Sequence, residues 1–270
     1  MSVTQFSEEL IARSGYARSG FADRYDRFRP RPPRVLLELL CRYARAARPD
    51  LVVDLGCGTG LSTRAWSGVA LRVIGIEPNA AMLAAAEGAP GVEYRRAYAQ
   101  ETGLENGSAD IVTCSQSFHW MEAEPTLEEA ARILRAGGVF AAYDYDVVPA
   151  VDPELDQAFQ DYLSRRREAR TRRGIRQGAD LWSKDKHLER MRDSGRFRHS
   201  REVVLHSVEE GDAARIAGLA RSLGLPVADA GDAELERELR VDELEAVAER
   251  VLEGRTVRFV FGYRVRLGVG

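Results

Sequence analysis

The chain has 270 residues, 44% of them hydrophobic, and a formal net charge of −3, which suits one domain with a full core and an elaborated cap. No apolar stretch reaches the roughly 18 residues of a membrane span, and residues 6–11 are too short and too acidic for a secretory signal. Cys41, Cys57 and Cys114 show no C-x-x-C or metal-ligand spacing, so we expect reduced thiols and a cytoplasmic location.

The N-terminal segment is predicted to be a helical arm. Residues 25–33 read Tyr-Asp-Arg-Phe-Arg-Pro-Arg-Pro-Pro and interrupt two helical patterns. Residues 35–47 then carry apolar side chains at helical spacing, and Pro49-Asp50 leads into a strand. We therefore predict an arm over residues 1–35 and the start of an α/β core at residue 36.

Residues 51–63, Leu-Val-Val-Asp-Leu-Gly-Cys-Gly-Thr-Gly-Leu-Ser-Thr, are the most informative segment. A short apolar run, typical of a buried parallel strand, ends in Asp54. Gly56, Gly58 and Gly60 follow, and glycine allows a tight turn and a close approach to a ligand that a Cβ would block. The helical pattern after them would direct its N-terminal N–H groups at that ligand. The sequence predicts a ligand-binding strand–loop–helix.

The spacing and charge of this loop distinguish two classes of ligand. A dinucleotide-binding loop has the spacing G-x-G-x-x-G and seats a pyrophosphate on the helix N-terminus. Here the spacing is G-x-G-x-G, Leu61 stands where the third glycine would be, and Asp54 would repel a pyrophosphate. The same carboxylate would favour the ammonium of S-adenosylmethionine (SAM), which has no phosphate. A nicotinamide or flavin cofactor and a purely structural loop are the alternatives.

The run Asp-Leu-Gly-Cys-Gly-Thr-Gly at residues 54–60 resembles motif I of class I SAM-dependent methyltransferases. This resemblance implies an α/β fold with a Rossmann-like seven-stranded sheet, its last strand antiparallel, and a helical lid. It implies SAM as cofactor and S-adenosylhomocysteine as product. It also implies that the methionine end of SAM contacts Asp54, Gly56, Cys57, Gly58 and Gly60.

A second apolar run, residues 73–77, also ends in an acid, Glu77. A carboxylate at the end of the second strand suits hydrogen bonds to a ribose diol, which SAM and NAD share. By the same resemblance, Pro78 follows in the cofactor site and Met82 packs on the adenine. The alternative for Met82 is an ordinary core methionine, because Met fills gaps readily.

Residues 97–104 resemble the family's adenine-binding stretch. The resemblance implies that the Ala99 backbone and the Gln100 side chain recognise the adenine edge. The family usually has an acid at the second position, but an amide can both donate and accept hydrogen bonds. Whether Gln100 or Glu101 makes the contact stays open.

Residues 110–121 predict a fourth strand and the loop after it. Ligands in a doubly wound sheet lie at the carboxyl ends of the strands, so Ser115 and the loop should border the transferred methyl group. Gln-Ser-Phe-His-Trp at residues 116–120 is similar to a Gln-Ala-Phe-His-Trp segment of small-molecule methyltransferases, the type 11 subgroup that includes trans-aconitate methyltransferase-like enzymes. His119 is the candidate general base. Alternatively, His119 orients the loop or binds substrate, because apposition of the reactants alone contributes much of such catalysis.

The polar end of a predicted fifth strand, residues 139–146, places Tyr143, Asp144 and Tyr145 near the mouth of the site, where they could grip an acceptor. Tyr145 and Trp120 are the candidate substrate contacts. We expect residues 130–136 to be the tail of a helix that Gly137-Gly138 ends. The segment from Tyr25 to Pro30 resembles the subgroup's entry segment, so Tyr25 and Arg29 are candidates to meet the methionine carboxylate or the acceptor. A proline-stiffened connector with solvated arginines is the alternative.

Residues 153–195 are predicted to be helical and charged, with seven arginines between residues 164 and 177. A nucleic-acid surface is one interpretation. Against it, the whole chain has only two lysines, and acids surround the run, so a solvated helix face is our expectation. One or two of these arginines gripping an anionic acceptor is the alternative.

The remaining pattern predicts a strand at residues 201–206, helices at 209–224 and 232–254, and a last strand at 256–267. By resemblance these strands are the sixth and the antiparallel seventh. We predict four segments: the arm (1–35), the SAM-binding core (36–148), a helical lid (149–254) with a core strand near 197–207, and a final core strand (255–270).

The sequence thus predicts a SAM-dependent methyltransferase acting on an O or C atom, which can belong to a carboxylate, of a small-molecule acceptor. We expect no metal, because the four histidines form no metal-ligand pattern, no membrane partner, and a monomer or homodimer. An RNA or tRNA methyltransferase would share the cofactor motifs, but no Asn-Pro-Pro-Tyr or Asp-Pro-Pro-Tyr motif is present. A non-catalytic SAM-binding protein is the alternative of a different class.

Overall fold

The computed structural model describes residues 26–173, 183–223 and 237–270. Contacts within the chain divide it into two compact units. Among the described residues, the sheet unit comprises 31–145, 183–205 and 263–270, and the helical unit comprises 26–30, 146–173, 206–223 and 237–262. The four segments predicted from the sequence, and the role of residues 149–254 as a lid, stay predictions.

Seven strands form one sheet in the order β3-β2-β1-β4-β5-β7-β6. Their bounds are β1 Leu51–Leu55, β2 Arg72–Ile76, β3 Val92–Arg95, β4 Ala109–Ser115, β5 Leu134–Tyr145, β6 His199–Gly211 and β7 Val257–Val269. The pairs from β3 to β5 are parallel, and β7 is antiparallel to β5. The predicted Rossmann-like α/β sheet with an antiparallel last strand is confirmed.

The labelled α-helices, all within the described residues, are α1 Arg34–Tyr43, α2 Leu61–Ala65, α3 Ala80–Ala84, α4 Ala123–Ile133, α5 Pro153–Arg172, α6 His187–Asp193, α7 Ala213–Ser222 and α8 Val241–Leu252. Short 3-10 turns cover Phe118–Trp120 and Lys184–Lys186. All five residues of β1 are buried, as a parallel strand covered on both faces should be. Within the described ranges, no helix is both long and apolar enough to span a membrane.

The carboxyl ends of the parallel strands lie at one edge of the sheet. Leu55 at the end of β1 pairs with Ile76 at the end of β2, and Ser115 at the end of β4 pairs with Tyr143 near the end of β5. Because the strands run in the same direction, the segments that follow them emerge side by side. This edge therefore gathers the glycine loop, the start of α3 and the loop after β4.

The prediction that a helix tail reaches residue 136 is wrong. Helix α4 ends at Ile133, and β5 begins at the next residue, so Gly137 and Gly138 lie inside the strand. The β4–β5 register shifts at this point, Gly137 has φ 77°, and a Cβ on Gly138 would lie 2.9 Å from the Arg135 carbonyl oxygen. The two glycines therefore accommodate an irregularity in the strand pairing rather than a helix end.

The helical unit is built from α5, α7 and α8. Tyr162 Oη donates to the Ala220 carbonyl at 2.7 Å and joins α5 to α7. Four arginines of the Arg-rich run form contacts within this unit. Arg165 and Arg166 donate hydrogen bonds to the carbonyls of Leu239 and Leu223. Arg172 and Arg173 form ion pairs with Glu238. These arginines therefore brace α5 instead of forming only a solvated face, and Arg176 lies outside the described residues.

Candidate active site

The glycine loop after β1 adopts backbone conformations that glycine suits. Gly56, Gly58 and Gly60 have φ of 66°, 57° and 83°, all in the left-handed region. The Gly56 N–H donates to the Ile76 carbonyl at 2.8 Å, which fastens the loop to the end of β2. A Cβ on Gly56 would lie only 2.7 Å from the Ser117 Cβ, so the loop after β4 packs closely against this turn.

Asp54 lies beneath the loop and is fully buried. Its Oδ2 accepts hydrogen bonds from Ser62 Oγ at 2.6 Å and Thr63 Oγ1 at 2.7 Å, and its Oδ1 accepts one from Thr113 Oγ1 at 2.8 Å. Burial raises the pKa of Asp54, and the three hydroxyls act in the opposite direction. Asp54 thus joins β1 to β4 and to α2, a structural role the sequence did not reveal, and its contact with a ligand ammonium stays a prediction.

Glu77 connects the glycine loop to the segment after β2. Its Oε2 accepts the Gly58 N–H at 2.9 Å, and its Oε1 accepts the Asn79 N–H at 2.8 Å. Burial raises the pKa of Glu77, while these two N–H groups lower it. Half-buried Pro78 follows, and the buried Met82 reaches the loop, because a Cβ on Gly58 would lie 3.1 Å from Met82 Cε.

The predicted adenine-binding stretch forms a turn in which the Glu101 N–H donates to the Tyr98 carbonyl at 3.1 Å. Ala99 is buried in the core cluster of the sheet unit, Gln100 is half-buried and Glu101 is exposed. The Thr102 N–H donates to Glu129 Oε1 at 2.9 Å and fixes the end of the turn. Contact of Ala99 or Gln100 with adenine stays a prediction.

The loop after β4 connects β1, β4 and β5 at the same edge. Ser117 Oγ donates to the Leu55 carbonyl at 2.7 Å, and Gln116 Nε2 donates to the Tyr145 carbonyl at 3.0 Å. The buried His119 has its ring centroid 5.4 Å from that of the half-buried Trp120. The structure thus brings these residues, with half-buried Ser115 at the end of β4 and buried Tyr145 at the end of β5, to the edge that holds the glycine loop.

A group of charged and titratable side chains, here called the Asp144 cluster, lies at the end of β5. Its members are Asp144, His119, Lys184, His187 and Arg266. Asp144 Oδ1 is 3.0 Å from Lys184 Nζ and 3.9 Å from His119 Nδ1. Asp144 Oδ2 is 3.0 Å from Arg266 Nη1 and 4.0 Å from His187 Nε2. One buried carboxylate therefore faces two cations and two imidazoles.

Both histidines of the cluster are neutral near pH 7. Burial, together with Lys184 and His187, holds the pKa of His119 well below its usual value. Burial also lowers the pKa of His187 to about 4, although Asp144 acts to raise it. A neutral imidazole can accept a proton, so the protonation state of His119 meets the requirement for a base.

Three members of the cluster were not identified as site residues from the sequence. Lys184 lies in a 3-10 turn, His187 begins α6 and Arg266 lies on β7. None has a motif neighbour along the chain, and each reaches Asp144 only through the tertiary fold. The single sequence signal was Asp144 itself, a carboxylate at a strand end.

The two contacts predicted for the N-terminal arm, those of Tyr25 and Arg29, stay predictions. Tyr25 lies outside the described residues. Arg29 belongs to the helical unit, where its Nε donates to Ser222 Oγ at 2.8 Å and its Nη2 donates to the Ser222 carbonyl at 3.0 Å. The structure therefore uses Arg29 to hold the end of α7, and its contact with SAM stays a prediction.

The thiols are buried, and burial raises the pKa of Cys57 and Cys114 well above the usual value. They are therefore protonated at neutral pH rather than nucleophilic. Where the chain is described, no group of three His, Cys, Asp or Glu side chains is placed to hold a metal ion.

Comparison with known proteins shows which family this chain resembles. The sequence profile of a family described as a methyltransferase domain matches residues 53–142, the segment from β1 into β5 that carries the glycine loop, Glu77 and His119. This match and the seven-stranded sheet with its antiparallel last strand together support a class I SAM-dependent methyltransferase. The trans-aconitate methyltransferase-like subgroup stays a prediction.

Individual relatives agree with this assignment. A putative methyltransferase of Dictyostelium discoideum is 32% identical over 124 residues, which are 46% of this chain and 47% of that protein. A probable SAM-dependent methyltransferase of Saccharomyces cerevisiae is 30% identical over 154 residues, 51% of this chain and 50% of that protein. The chain thus spans about half the length of these curated relatives.

A solved structure, that of a putative type II methyltransferase from Anaeromyxobacter dehalogenans, is similar over nearly its whole length. It is 27% identical with a TM-score of 0.61, and the match covers 90% of this chain and 98% of that one.

Proposed function

We propose that this protein transfers the methyl group of SAM to a small-molecule acceptor. The observation that carries the proposal is the pair of buried carboxylates, Asp54 and Glu77, that flank a loop of three left-handed glycines. Their hydrogen-bond donors are hydroxyls and backbone N–H groups, and in the described part of the chain neither carboxylate forms an ion pair with Lys or Arg. Such a site suits a cation and a diol and opposes a pyrophosphate.

The residues around this loop fit the parts of SAM. The glycines allow the backbone to approach the methionine end, and the negative charge of Asp54 beneath them favours its ammonium group. Glu77 retains lone pairs to accept hydrogen bonds from the ribose hydroxyls. Met82 and the Ala99–Gln100 turn would contact the adenine, and Ser115 would border the methionine end.

At the acceptor end, SAM supplies an electrophilic methyl group that an acceptor atom attacks in line. Trp120 and Tyr145 would flank the acceptor and restrict its orientation. His119 would take the proton from a hydroxyl or an acidic carbon as the acceptor loses it, because His119 is neutral at the working pH. A carboxylate acceptor would need no base, and His119 would then only position it.

The test uses SAM with a deuterated methyl group, incubated with cell extract and the purified protein, and mass spectrometry of the small molecules. We expect at least one metabolite to gain the labelled methyl group, and to gain none without the protein. Label that appears only in the RNA fraction would contradict a small-molecule acceptor. Bound SAM with no labelled product in either fraction would contradict the transferase function.

A further inference from the structure

One carboxylate oxygen of Asp144, Oδ1, lies close to both Lys184 and His119. Lys184 Nζ lies 3.0 Å from Oδ1, which is ion-pair distance, and His119 Nδ1 lies 3.9 Å from that oxygen, which is longer than a hydrogen bond. The other oxygen pairs with Arg266 at 3.0 Å, and Arg266 is only 2% exposed. The side chain of Lys184 is 38% exposed, so Lys184 is the cation that can leave Asp144 and move into solvent.

We propose that Asp144 is the positioning carboxylate of His119 and that Lys184 occupies its Oδ1 until His119 becomes protonated. The proposal rests on the proposed function, because it takes His119 as the group that receives the acceptor's proton. Asp144 acts through His119 and does not touch the acceptor.

The proton balance of this exchange is simple. Neutral His119 takes the acceptor's proton as the acceptor forms its bond to the methyl group, and an imidazolium results. The new cation is attracted to Asp144 Oδ1, and a charge-assisted hydrogen bond replaces the ion pair to Lys184. His119 then releases the proton to solvent, and Lys184 returns. The net charge of Asp144 and Arg266 does not change.

Lys184 also fixes the loop that carries His119. Its Nζ donates to Gln116 Oε1, while Gln116 Nε2 donates to the Tyr145 carbonyl. Gln116 has φ 52°, a left-handed conformation that is unfavourable for a non-glycine residue. The contact with Lys184 helps to hold that conformation, so one ammonium group positions both the loop and the carboxylate.

The charged and titratable groups around the cluster come from several elements. Asp144 of β5, Lys184 of the 3-10 turn and His187 of α6 act on His119 or lie within 4 Å of it. Arg190 of α6 and Arg266 of β7 act on His187. Glu202 Oε2 lies 2.7 Å from Arg266 Nε, so it neutralises Arg266 from the side away from Asp144. Asp144 Oδ1 lies 3.9 Å from His119 Nδ1.

The test is an NMR titration of the His119 ring in the protein without cofactor, assigned with the His119→Asn variant. Lys184→Met should raise the pKa of His119, because a repelling cation is removed and Oδ1 becomes available. Lys186→Met is the matched control, since Lys186 lies in the same turn but pairs with the exposed Glu189. It should leave the titration unchanged. In turnover assays, Lys184→Met should move the acid limb of the pH profile to higher pH.

Lys184→Met could raise the pKa of His119 simply by removing a repelling charge. The double variant Lys184→Met/Asp144→Asn shows how much of the increase comes from attraction to the Asp144 carboxylate. We expect its His119 pKa to fall below that of Lys184→Met, and turnover to drop roughly 10-fold or more with unchanged SAM affinity. Equal pKa values in the single and double variants would overturn the proposal. Because the titration needs neither SAM nor activity, that result is distinct from failure of the proposed function, which would appear as lost SAM binding or absent transfer.

Discussion

His119 combines two properties that the proposed general base needs at neutral pH: it is buried, in the loop after β4, and its low pKa keeps it neutral. The same low pKa makes it a weak base in isolation. A nearby carboxylate can offset that weakness by stabilising the imidazolium as it forms, which is the role assigned to Asp144.

Replacing His119 by Asn should lower turnover about 100-fold or more, because proton transfer contributes that much. SAM affinity should change little, because His119 is not among the proposed SAM contacts. Steady-state kinetics from pH 6 to 9 and calorimetry measure the two effects. His199→Asn, at an exposed histidine at the start of β6, is the control and should behave like the wild type. Wild-type turnover in the His119 variant across that pH range would exclude it as the base.

At the scale of elements, the glycine loop shows how closely β1, β4 and the segments after them approach one another. Gly56 and Gly68 both have positive φ, at 66° and 77°. A Cβ on Gly56 would meet the Ser117 Cβ at 2.7 Å, whereas a Cβ on Gly68 would meet nothing within 4 Å. Alanine substitutions at these two glycines therefore distinguish the energetic cost of backbone strain from that of a steric clash.

Gly68→Ala should cost about 1 kcal/mol of unfolding free energy from backbone strain alone. Gly56→Ala should cost about 2–4 kcal/mol, because the added methyl group also overpacks the contact with the loop after β4. Urea unfolding of both variants and the wild type measures the difference. Equal losses in the two variants would mean that the loop is more loosely packed than the structure indicates.

The elements with strong local patterns were predictable from the sequence. Asp54 and Glu77 end two apolar runs. A strand followed by an acid can be predicted from neighbouring residues alone, without knowledge of distant segments. The sequence does not show which role Gly137-Gly138 plays, because two glycines can end a helix or permit a bulge in a strand. Only the pairing of this segment with β4 distinguishes the two. Partners from distant segments, such as Thr113 for Asp54, carry no local signal.

The Asp144 cluster shows the same limit more strongly. Arg266 reaches Asp144 because β7 pairs antiparallel with β5, with Arg266 opposite Ala142. Apolar residues alternate from Val257 to Val265 along β7, a pattern that predicts one buried face. Arg266 lies on the other face, yet it is only 2% exposed. Its burial depends on β6 and on Asp144, which the sequence of β7 does not contain.

At the scale of the whole molecule, the buried neutral histidines make stability depend on pH. The pKa of His187 is about 4 in the folded protein, against 6.5 for an ordinary histidine. The unfolded chain therefore binds a proton first as the pH falls, and stability is present above pH 6.5 and lost between pH 6.5 and about 4.

Replacing His187 by Leu should remove this part of the pH dependence. Between pH 7.5 and 5 the wild type should lose about 2 kcal/mol more unfolding free energy than the variant, from the proton that the unfolded His187 binds. Denaturant unfolding at several pH values gives both curves. If the unfolding free energy of the variant and of the wild type changed equally with pH, His187 would not be held neutral in the folded protein.

The central claim is that the loop between β1 and α2 binds SAM, and calorimetric titration tests it most directly. We expect SAM and S-adenosylhomocysteine to bind at one site per chain and NAD(P) not to bind. Glu77→Ala should weaken SAM binding roughly 10- to 100-fold, from lost hydrogen bonds to a charged group, while the control Glu93→Ala, at an exposed acid of β3, should not. Binding of NAD(P) in place of SAM, or SAM affinity unchanged by Glu77→Ala, would contradict the assignment.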